Sequence, residues 1–389
     1  MSLCIVERAI DDCAHHHPAL TPMAANFYLM AAKGGIAPPT RGFSGRRGRL
    51  QGLINQLLAA LASWAARPAA NHLSFCDPSA QCPQCVSAMF EGFDVSTIST
   101  GECDIFVRAA GSGSPLLLLH GFPETHLMWR DVAPKLAQDF TVVCADLRGY
   151  GQSGCPASAP DHAPYSKRVM ATDMVGVMRR LGFNRFAVAG HDRGGRVAYR
   201  MALDHPYSVT KLSVLDILPT ATVWDRVDAR LMIGFWPWSL LAQPEPLPER
   251  LVCGAPDAVI DNAMAQWGSR ADVFPDEVRA AYLASLRDAA HIHAICEEYR
   301  AAATIDRAHD AGDRATGRSI ACPMQVLWSV QGGLESWYSR EGGPLALWRA
   351  WAGNVSGGPI PGGHFFPEES PRETAAALKS FLAPEQGRG

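Results

Sequence analysis

The stretch GHDRGG, residues 190–195, lies between a short apolar run and a segment with helical spacing. Its pattern places a candidate nucleophile between two glycines, with Asp192 where a serine is usual. A tight strand-to-helix turn needs small residues on both sides of such a nucleophile, and the N-terminus of the helix that follows favours negative charge. Asp192 therefore has two interpretations. It is either a helix N-cap, a common role of aspartate, or a catalytic carboxylate.

Alternating strands and helices surround this turn. Helical spacing at 166–181, 194–205 and 370–382 separates apolar runs that are typical of buried parallel strands. The predicted strands are 104–109, 115–120, 141–147, 185–190, 209–217 and 321–330, with a weaker one before Gly362. This order indicates an α/β fold whose mostly parallel sheet has helices on both faces.

Four segments are expected along the chain. Residues 1–88 are predicted to be a poorly ordered extension, in which Cys82 and Cys85 form a lone C-x-x-C without the second pair of ligands that zinc needs. Residues 89–218 and 319–389 form the two parts of the core. Residues 219–318 are helical, rich in Trp and Pro, and interrupt the core where a lid is expected.

Composition limits the partners. The chain has 389 residues, 48% hydrophobic and 19% charged, with a formal net charge of −3 and no long basic run, which argues against nucleic acid. Apolar segments are too short to span a membrane. The 11 cysteines are interpreted as free thiols in the cytoplasm. We expect a small-molecule substrate, no metal or organic cofactor, and a homodimer.

Two further motifs favour the catalytic interpretation of Asp192. His120-Gly121-Phe122-Pro123 follows an apolar strand, and Gly362-Gly363-His364 follows the last one. The chain order nucleophile, acid, histidine is that of a hydrolase with a nucleophile elbow. Asp216, which ends the run VLDI, and Glu335, which follows the next strand, are both positioned to serve as the acid.

Five motifs of the sequence together resemble those of a known family. HGFPETHLMW, ADLRGYGQS, GHDRGGR, LDILP and GGHFF together resemble the haloacetate (fluoroacetate) dehalogenases of the α/β-hydrolase superfamily, which are related to epoxide hydrolases. The resemblance runs from about Phe90 to Leu382. It implies an α/β-hydrolase fold with a helical cap inserted after the sixth strand, and it favours Asp216 over Glu335 as the acid.

The resemblance also explains why a carboxylate replaces serine. Attack by Asp192 on a saturated carbon displaces a leaving group and forms an ester, and an aspartate is ionised without help from a base. His364, oriented by Asp216, would then activate water to hydrolyse that ester. The backbone N–H groups of Phe122 and Arg193 would form the oxyanion hole.

Arginines and aromatic residues bear on the substrate. Arg193 and Arg196 lie on one helix face, and in the resembling family the matching arginines hold the substrate carboxylate, which predicts an anionic substrate. The expected halide pocket comprises Trp238, Tyr299 and Trp267. In that family the motif matching Trp236-Pro237-Trp238 has histidine in the middle, so Pro237 removes one donor.

Three functions are compatible with these motifs. The leading hypothesis is hydrolysis of short 2-haloacids, haloacetate first among them. The alternative is an epoxide hydrolase with the same Asp192, His364 and Asp216, in which Tyr299, or less favourably Tyr282, protonates the epoxide oxygen. A non-catalytic binding protein of the same fold is the third, and it gives no reason for a complete triad.

Overall fold

The computed structural model describes residues 89–383. It contains an eight-stranded sheet with the strand order β1-β2-β4-β3-β5-β6-β7-β8. The strands are β1 Asp94–Ser99, β2 Asp104–Ala110, β3 Ser114–Leu119, β4 Phe140–Ala145, β5 Phe186–His191, β6 Val209–Leu215, β7 Met324–Ser329 and β8 Val355–Ile360. The expected extension at residues 1–88 and the last six residues lie outside the described range.

Five of the seven strand pairings are parallel, from β4 through β8 in spatial order, and only the pairings of β2 with β1 and β4 are antiparallel. The central strands read as continuous apolar runs because both faces of the sheet are covered. Leu116 to Leu119 in β3, for example, are completely buried. This mostly parallel sheet confirms the predicted fold class.

Strand β1 was not predicted from the sequence. Its segment DVSTIS lies at the edge of the sheet, and five of its six residues are exposed. Only Val95 and Ile98 are large apolar residues, so the alternation that identifies a half-buried strand is weak.

Helices cover the sheet, and a long helical insertion separates β6 from β7. Before the insertion come α1 (Ala133–Leu136), α2 (Lys167–Arg180) and α3 (Asp192–Asp204). The insertion contains α4 Thr220–Asp225, α5 Ala229–Gly234, α6 Pro237–Leu240, α7 Leu247–Gly254, α8 Pro256–Ala265, α9 Asp276–Ser285, α10 Ala289–Ala303 and α11 Ile305–Ala315. After β7 come α12 Leu334–Trp337, α13 Gly343–Arg349, α14 Phe366–Glu369 and α15 Pro371–Leu382. Short 3₁₀ helices occupy His126–Trp129, Ala163–Tyr165, Ala271–Val273 and Ser339–Glu341.

The carboxyl ends of the parallel strands position the functional motifs. His120 follows β3, Asp192 follows β5, Asp216 follows β6, and His364 lies in the loop after β8. Ligands of open parallel sheets bind outside this edge. Within residues 89–383, no helix has the length and apolarity required to cross a bilayer. No cluster of three or more potential metal ligands lies in this range either.

Candidate active site

The turn between β5 and α3 holds Asp192 in a strained backbone conformation. Its φ is +40°, a value that non-glycine residues seldom adopt, and helix α3 begins at Asp192 itself. The chain is packed so closely here that a β-carbon on Gly190 would lie 2.4 Å from the carbonyl oxygen of Gly194. The glycines of GHDRGG are therefore required by backbone contact, and the aspartate projects from a rigid turn.

One oxygen of this carboxylate is already hydrogen-bonded. The backbone N–H of Phe122 donates to Oδ2 of Asp192 at 3.1 Å. The loop that carries Phe122 is itself fixed, because the carboxylate of Glu124 accepts the N–H of Gly121 at 3.2 Å and the ring of His120 accepts the N–H of Leu147 at 3.0 Å. The loop after β3 thus presents a backbone donor to the position where a negative oxygen would develop.

His364 is paired with Asp216. Its Nδ1 lies 2.6 Å from Oδ2 of Asp216, whose other oxygen accepts the backbone N–H of Ser329 at 2.8 Å and the hydroxyl of the same serine at 2.9 Å. The second candidate acid, Glu335, instead accepts the indole N–H of Trp328 at 3.1 Å. Of the two acids left open by the sequence, the structure places Asp216 on the histidine.

Electrostatics keep Asp192 ionised. Burial alone would raise the pKa of its carboxyl group, but electrostatic interactions with His364, Arg193 and Arg196 outweigh burial and hold that pKa below its ordinary value. A carboxylate in this environment is a permanent anion across the neutral pH range. It can attack a carbon centre without a general base.

Arg193 and Arg196 are both buried beside Asp192, but their partners differ. Arg193 donates from Nε to the carboxylate of Glu298 at 2.7 Å, whereas Arg196 donates to the carbonyl of Leu218 at 2.9 Å and to the hydroxyl of Thr220 at 3.2 Å. No carboxylate of the described chain forms an ion pair with Arg196. Buried N–H groups at Nη1 of Arg193 and Nε of Arg196 also lack a partner within residues 89–383. These donors are available to an anion.

Two aromatic residues of the insertion stand over the arginines. The guanidinium of Arg193 lies 4.0 Å from the ring centroid of Tyr299, and that of Arg196 lies 4.4 Å from the ring of Trp238. Both aromatic side chains are almost fully buried. Neither the hydroxyl of Tyr299 nor the indole N–H of Trp238 has a hydrogen-bond partner in the described part of the chain. The site therefore offers two polar hydrogens at its aromatic end.

Trp267 occupies a different position from the one the sequence predicts. Its ring packs edge-on against His364 with the centroids 5.4 Å apart, and its indole N–H donates to the carbonyl of Gly234 at 2.5 Å. That N–H is committed, so Trp267 covers the histidine and is not a free donor for a leaving group. Pro237 is buried at the first position of α6, where its missing N–H costs no helical hydrogen bond.

His191 has a structural connection that the sequence did not reveal. Its Nδ1 lies 3.0 Å from the carboxylate of Glu124, and its Nε2 donates to the carbonyl of His364 at 2.8 Å. Although burial acts in the opposite direction, Glu124 raises the pKa of His191 to about 9. A buried imidazolium thus joins the turn of Asp192 to the loops that carry Phe122 and His364.

Glu298 is the other residue that sequence reasoning missed. It is completely buried and accepts hydrogen bonds from Arg193, from Lys167 and, at 2.9 Å, from the hydroxyl of Tyr150. Its only sequence signal is its position immediately before Tyr299 in the stretch EEYR.

The chain is similar to known hydrolases. Residues 114–245 match the family model described as alpha/beta hydrolase fold. The chain is 45% identical over 296 residues to the fluoroacetate dehalogenase of Burkholderia sp, covering 76% of this chain and 95% of that protein. It is 32% identical over 288 residues to the soluble epoxide hydrolase of Corynebacterium sp. (strain C12), covering 71% and 92% respectively. Among solved structures, a proposed α/β hydrolase of Nostoc sp PCC 7120 superimposes with a TM-score of 0.73 at 47% identity, covering 76% of this chain and 99% of that one.

Proposed function

We propose that this chain, which belongs to the α/β-hydrolase family, hydrolyses the carbon–halogen bond of short 2-haloacids such as haloacetate. One observation carries the proposal: an ionised Asp192 on a nucleophile elbow lies beside two buried arginines, one of which has no carboxylate partner among the described residues. A carboxylate nucleophile requires a saturated carbon as its target, and buried guanidinium donors favour a substrate that is an anion. The similarity to a fluoroacetate dehalogenase supports the same assignment.

The first step uses the free oxygen of Asp192. Because Oδ2 accepts the N–H of Phe122, Oδ1 is the oxygen that attacks the carbon bearing the halogen. The carbon–halogen bond breaks, the halide leaves with its electron pair, and an ester forms on Asp192. Arg193 and Arg196 hold the substrate carboxylate during this displacement, so binding orients the carbon for attack.

The second step uses His364. With Nδ1 held by Asp216, Nε2 is the nitrogen that takes a proton from water. The resulting hydroxide attacks the carbonyl carbon of the ester, and negative charge develops on Oδ2, where the N–H groups of Phe122 and Arg193 stabilise it. As this intermediate collapses, His364 returns its proton to the departing glycolate oxygen. The carboxyl group of Asp192 then loses the proton of the added hydroxyl to solvent, which restores the carboxylate. The overall reaction consumes haloacetate and water and yields glycolate, halide and a proton.

The departing halide is assigned to Trp238 and Tyr299. Both side chains are buried, and their polar hydrogens have no partner within residues 89–383. Hydrogen bonds to the halide strengthen as its charge develops, so such donors lower the barrier of the first step. Pro237 contributes no donor, and Trp267 is assigned to the wall over His364.

The helical insertion is assigned as a cap that closes the site. The proposed cap comprises residues 219–318, with the core on either side at 89–218 and 319–389. The residues of the aromatic end, Trp238 and Tyr299, come from α6 and α10 of this insertion. A cytoplasmic location is part of the proposal and is supported by six free cysteines in the described range. A homodimer stays a prediction.

An epoxide hydrolase is the second candidate, and one observation favours it. Tyr299 is a buried residue whose hydroxyl has no hydrogen-bond partner in the described chain, so it could protonate an epoxide oxygen as the ring opens. Tyr282 is less suitable because its hydroxyl already donates to Glu368 at 3.0 Å. The similarity to a soluble epoxide hydrolase agrees with this candidate. Arg196 opposes it, because a neutral epoxide brings no carboxylate to a buried guanidinium that forms no ion pair within residues 89–383.

Halide release from fluoro-, chloro- and bromoacetate, measured beside diol formation from a small neutral epoxide, tests the proposal. We expect halide release from at least chloroacetate and bromoacetate, with little or no diol. Rapid diol formation without halide release would establish the alternative, and absence of both products would favour a binding protein.

A further inference from the structure

Glu298 connects the helical insertion to three elements of the core. It lies in α10, and its carboxylate accepts hydrogen bonds from Tyr150 in the loop after β4, from Lys167 at the start of α2 and from Arg193 in α3. Its backbone carbonyl also accepts Nη2 of Arg193 at 3.3 Å. Two contacts to the same guanidinium fix the orientation of that group as well as its position.

Because of Glu298, the two arginines differ in the charge of their partners. Arg193 forms an ion pair with Glu298 at 2.7 Å, whereas Arg196 has only neutral hydrogen-bond partners in the described chain. Lys167, the second cation on Glu298, is also paired with Asp306 at 3.7 Å. The substrate carboxylate therefore meets one arginine that already shares a carboxylate partner with Lys167 and another that forms no ion pair among the described residues.

We propose that Glu298 is a positioning and specificity-determining residue that orients Arg193 and limits how strongly this arginine attracts the substrate carboxylate. The inference rests on the proposed function, since it takes a carboxylate as the ligand of Arg193. Partial neutralisation of Arg193 weakens binding of the substrate carboxylate before the reaction. This favours turnover, because a charge that stabilises the bound substrate as much as the transition state does not raise kcat. The residue next to Glu298 is Tyr299, so one turn of α10 places both the orienting carboxylate and a donor for the halide.

If Glu298 has this role, its replacement should tighten the binding of an anion, whereas loss of structure would weaken that binding. Replacing Glu298 with glutamine removes a negative charge, so Arg193 and Lys167 attract an anion more strongly. Acetate, which has the carboxylate but no leaving group, should bind about tenfold more tightly, as expected for one buried charge at partial screening. The kcat for bromoacetate should fall, because Arg193 is no longer held in place. The KM for neutral bromoacetamide should not change.

Lys167→Met gives the opposite prediction. Without the ammonium group, Glu298 acts on Arg193 alone and neutralises it more completely, so acetate should bind about tenfold more weakly. Glu297→Gln is the matched control, because Glu297 lies on the same helix but pairs with Arg300 and His162. This control should bind acetate as the wild type does.

Isothermal titration with acetate, after thermal melting has shown that each variant folds, decides the matter. Opposite shifts for Glu298→Gln and Lys167→Met support the inference. Equal weakening in both variants, or no shift in either, overturns it. If Glu298→Gln does not fold, an unchanged acetate Kd in Lys167→Met is by itself enough to overturn the inference. Wild-type protein that neither binds acetate nor releases halide would instead overturn the proposed function.

Discussion

The backbone N–H of Phe122 donates to Oδ2 of Asp192 at 3.1 Å, so the two oxygens of this carboxylate are not equivalent. One oxygen is held by the loop after β3, and the other is free to face a substrate. In an ester formed through the free oxygen, the held oxygen becomes the carbonyl oxygen. The same N–H that orients the nucleophile would then stabilise negative charge during hydrolysis, without any movement of the backbone.

Replacing His364 should stop the reaction after its first step. We expect His364→Asn to form the ester from bromoacetate and fail to hydrolyse it, while Asp192→Asn forms no ester because an amide is a poor nucleophile. Intact-protein mass spectrometry should show one carboxymethyl group on the first variant and none on the second. An unmodified His364→Asn protein, under conditions in which the wild type turns over, would disprove the two-step mechanism.

Replacing Asp216 should impair catalysis by His364, whereas replacing Glu335 should not. Asp216→Asn removes the charge that holds Nδ1, and the comparable change in a serine-protease triad costs roughly ten-thousandfold in rate. We expect a loss of more than a hundredfold in kcat for chloroacetate, with ester accumulating on Asp192. Glu335→Gln, whose side chain contacts Trp328, serves as the control and should retain wild-type kcat. A reversed pattern would assign the acid to Glu335.

Arg196→Lys should weaken selection for an anionic substrate. Lysine keeps the charge but cannot reproduce the planar fork, which donates to Leu218 and leaves other N–H groups for the proposed substrate contact. A charge-assisted hydrogen bond of about 1.5 to 3 kcal/mol corresponds to a loss of roughly ten- to a hundredfold in kcat/KM for bromoacetate. Steady-state kinetics with neutral bromoacetamide provide the comparison and should change little. Equal losses on both substrates would argue that Arg196 is structural.

Pro237 should make fluoride the hardest halide to release. Fluoride is a poor leaving group, and only Trp238 and Tyr299 are assigned to stabilise it. By analogy with an oxyanion-hole donor, one missing hydrogen bond costs about 2.7 to 4 kcal/mol, or a hundred- to a thousandfold in rate. We therefore expect chloroacetate and bromoacetate to be strongly preferred. Fluoride release as fast as chloride release by the wild type would contradict this prediction.

Pro237→His should raise defluorination selectively, since it adds a donor, and Pro237→Ala is its matched control. Both substitutions free the φ angle at the start of α6, but only histidine can donate to fluoride. A fluoride-selective electrode measures the outcome. A similar gain in both variants would mean that backbone freedom, not a hydrogen bond, limits the reaction.

The charge on His191 should make stability depend on pH. Its pKa is raised from 6.5 to about 9 in the folded protein, so the folded state binds a proton more tightly than the unfolded chain. This contribution is fully present below pH 6.5 and is lost as the pH rises through 9. We expect the Tm advantage of the wild type over His191→Gln to shrink across that interval in calorimetric scans. A constant difference in Tm would mean that His191 is neutral.

Sequence reasoning was most informative where one local pattern carries one physical requirement. Gly190 and Gly194 are needed because the backbone is packed within van der Waals distance, so the turn at Asp192 could be identified from six residues. The loop after β3 and the histidine near the C-terminus follow from chain order in the same way. Chain order left Asp216 and Glu335 both open as the acid, the resemblance favoured Asp216, and the structure brings Asp216 and His364 together at 2.6 Å.

Contacts between distant residues could not be predicted. Glu298 pairs with Arg193 across 105 positions, and no local pattern distinguishes Glu298 from its neighbour Glu297. Trp267 shows the same limit, because the sequence assigned it a contact that the structure does not form. Its aromatic character suggested the leaving-group pocket, but packing of the insertion directs its N–H to Gly234. Which of several similar side chains faces a site is decided by tertiary packing.

The ring of His191 has a consequence for the order in which the protein becomes functional. It joins Glu124, 67 residues earlier, to the carbonyl of His364, 173 residues later. Contacts of such large separation must overcome loop-closure entropy, so they form late in folding, and a nascent chain emerges with its N-terminal residues first. A chain halted before β8 would carry Asp192 but lack His364, the residue to which we assign hydrolysis of the ester. In the proposed mechanism, the nucleophile and the histidine that hydrolyses its ester are thus brought together only when the segment after β8 has docked.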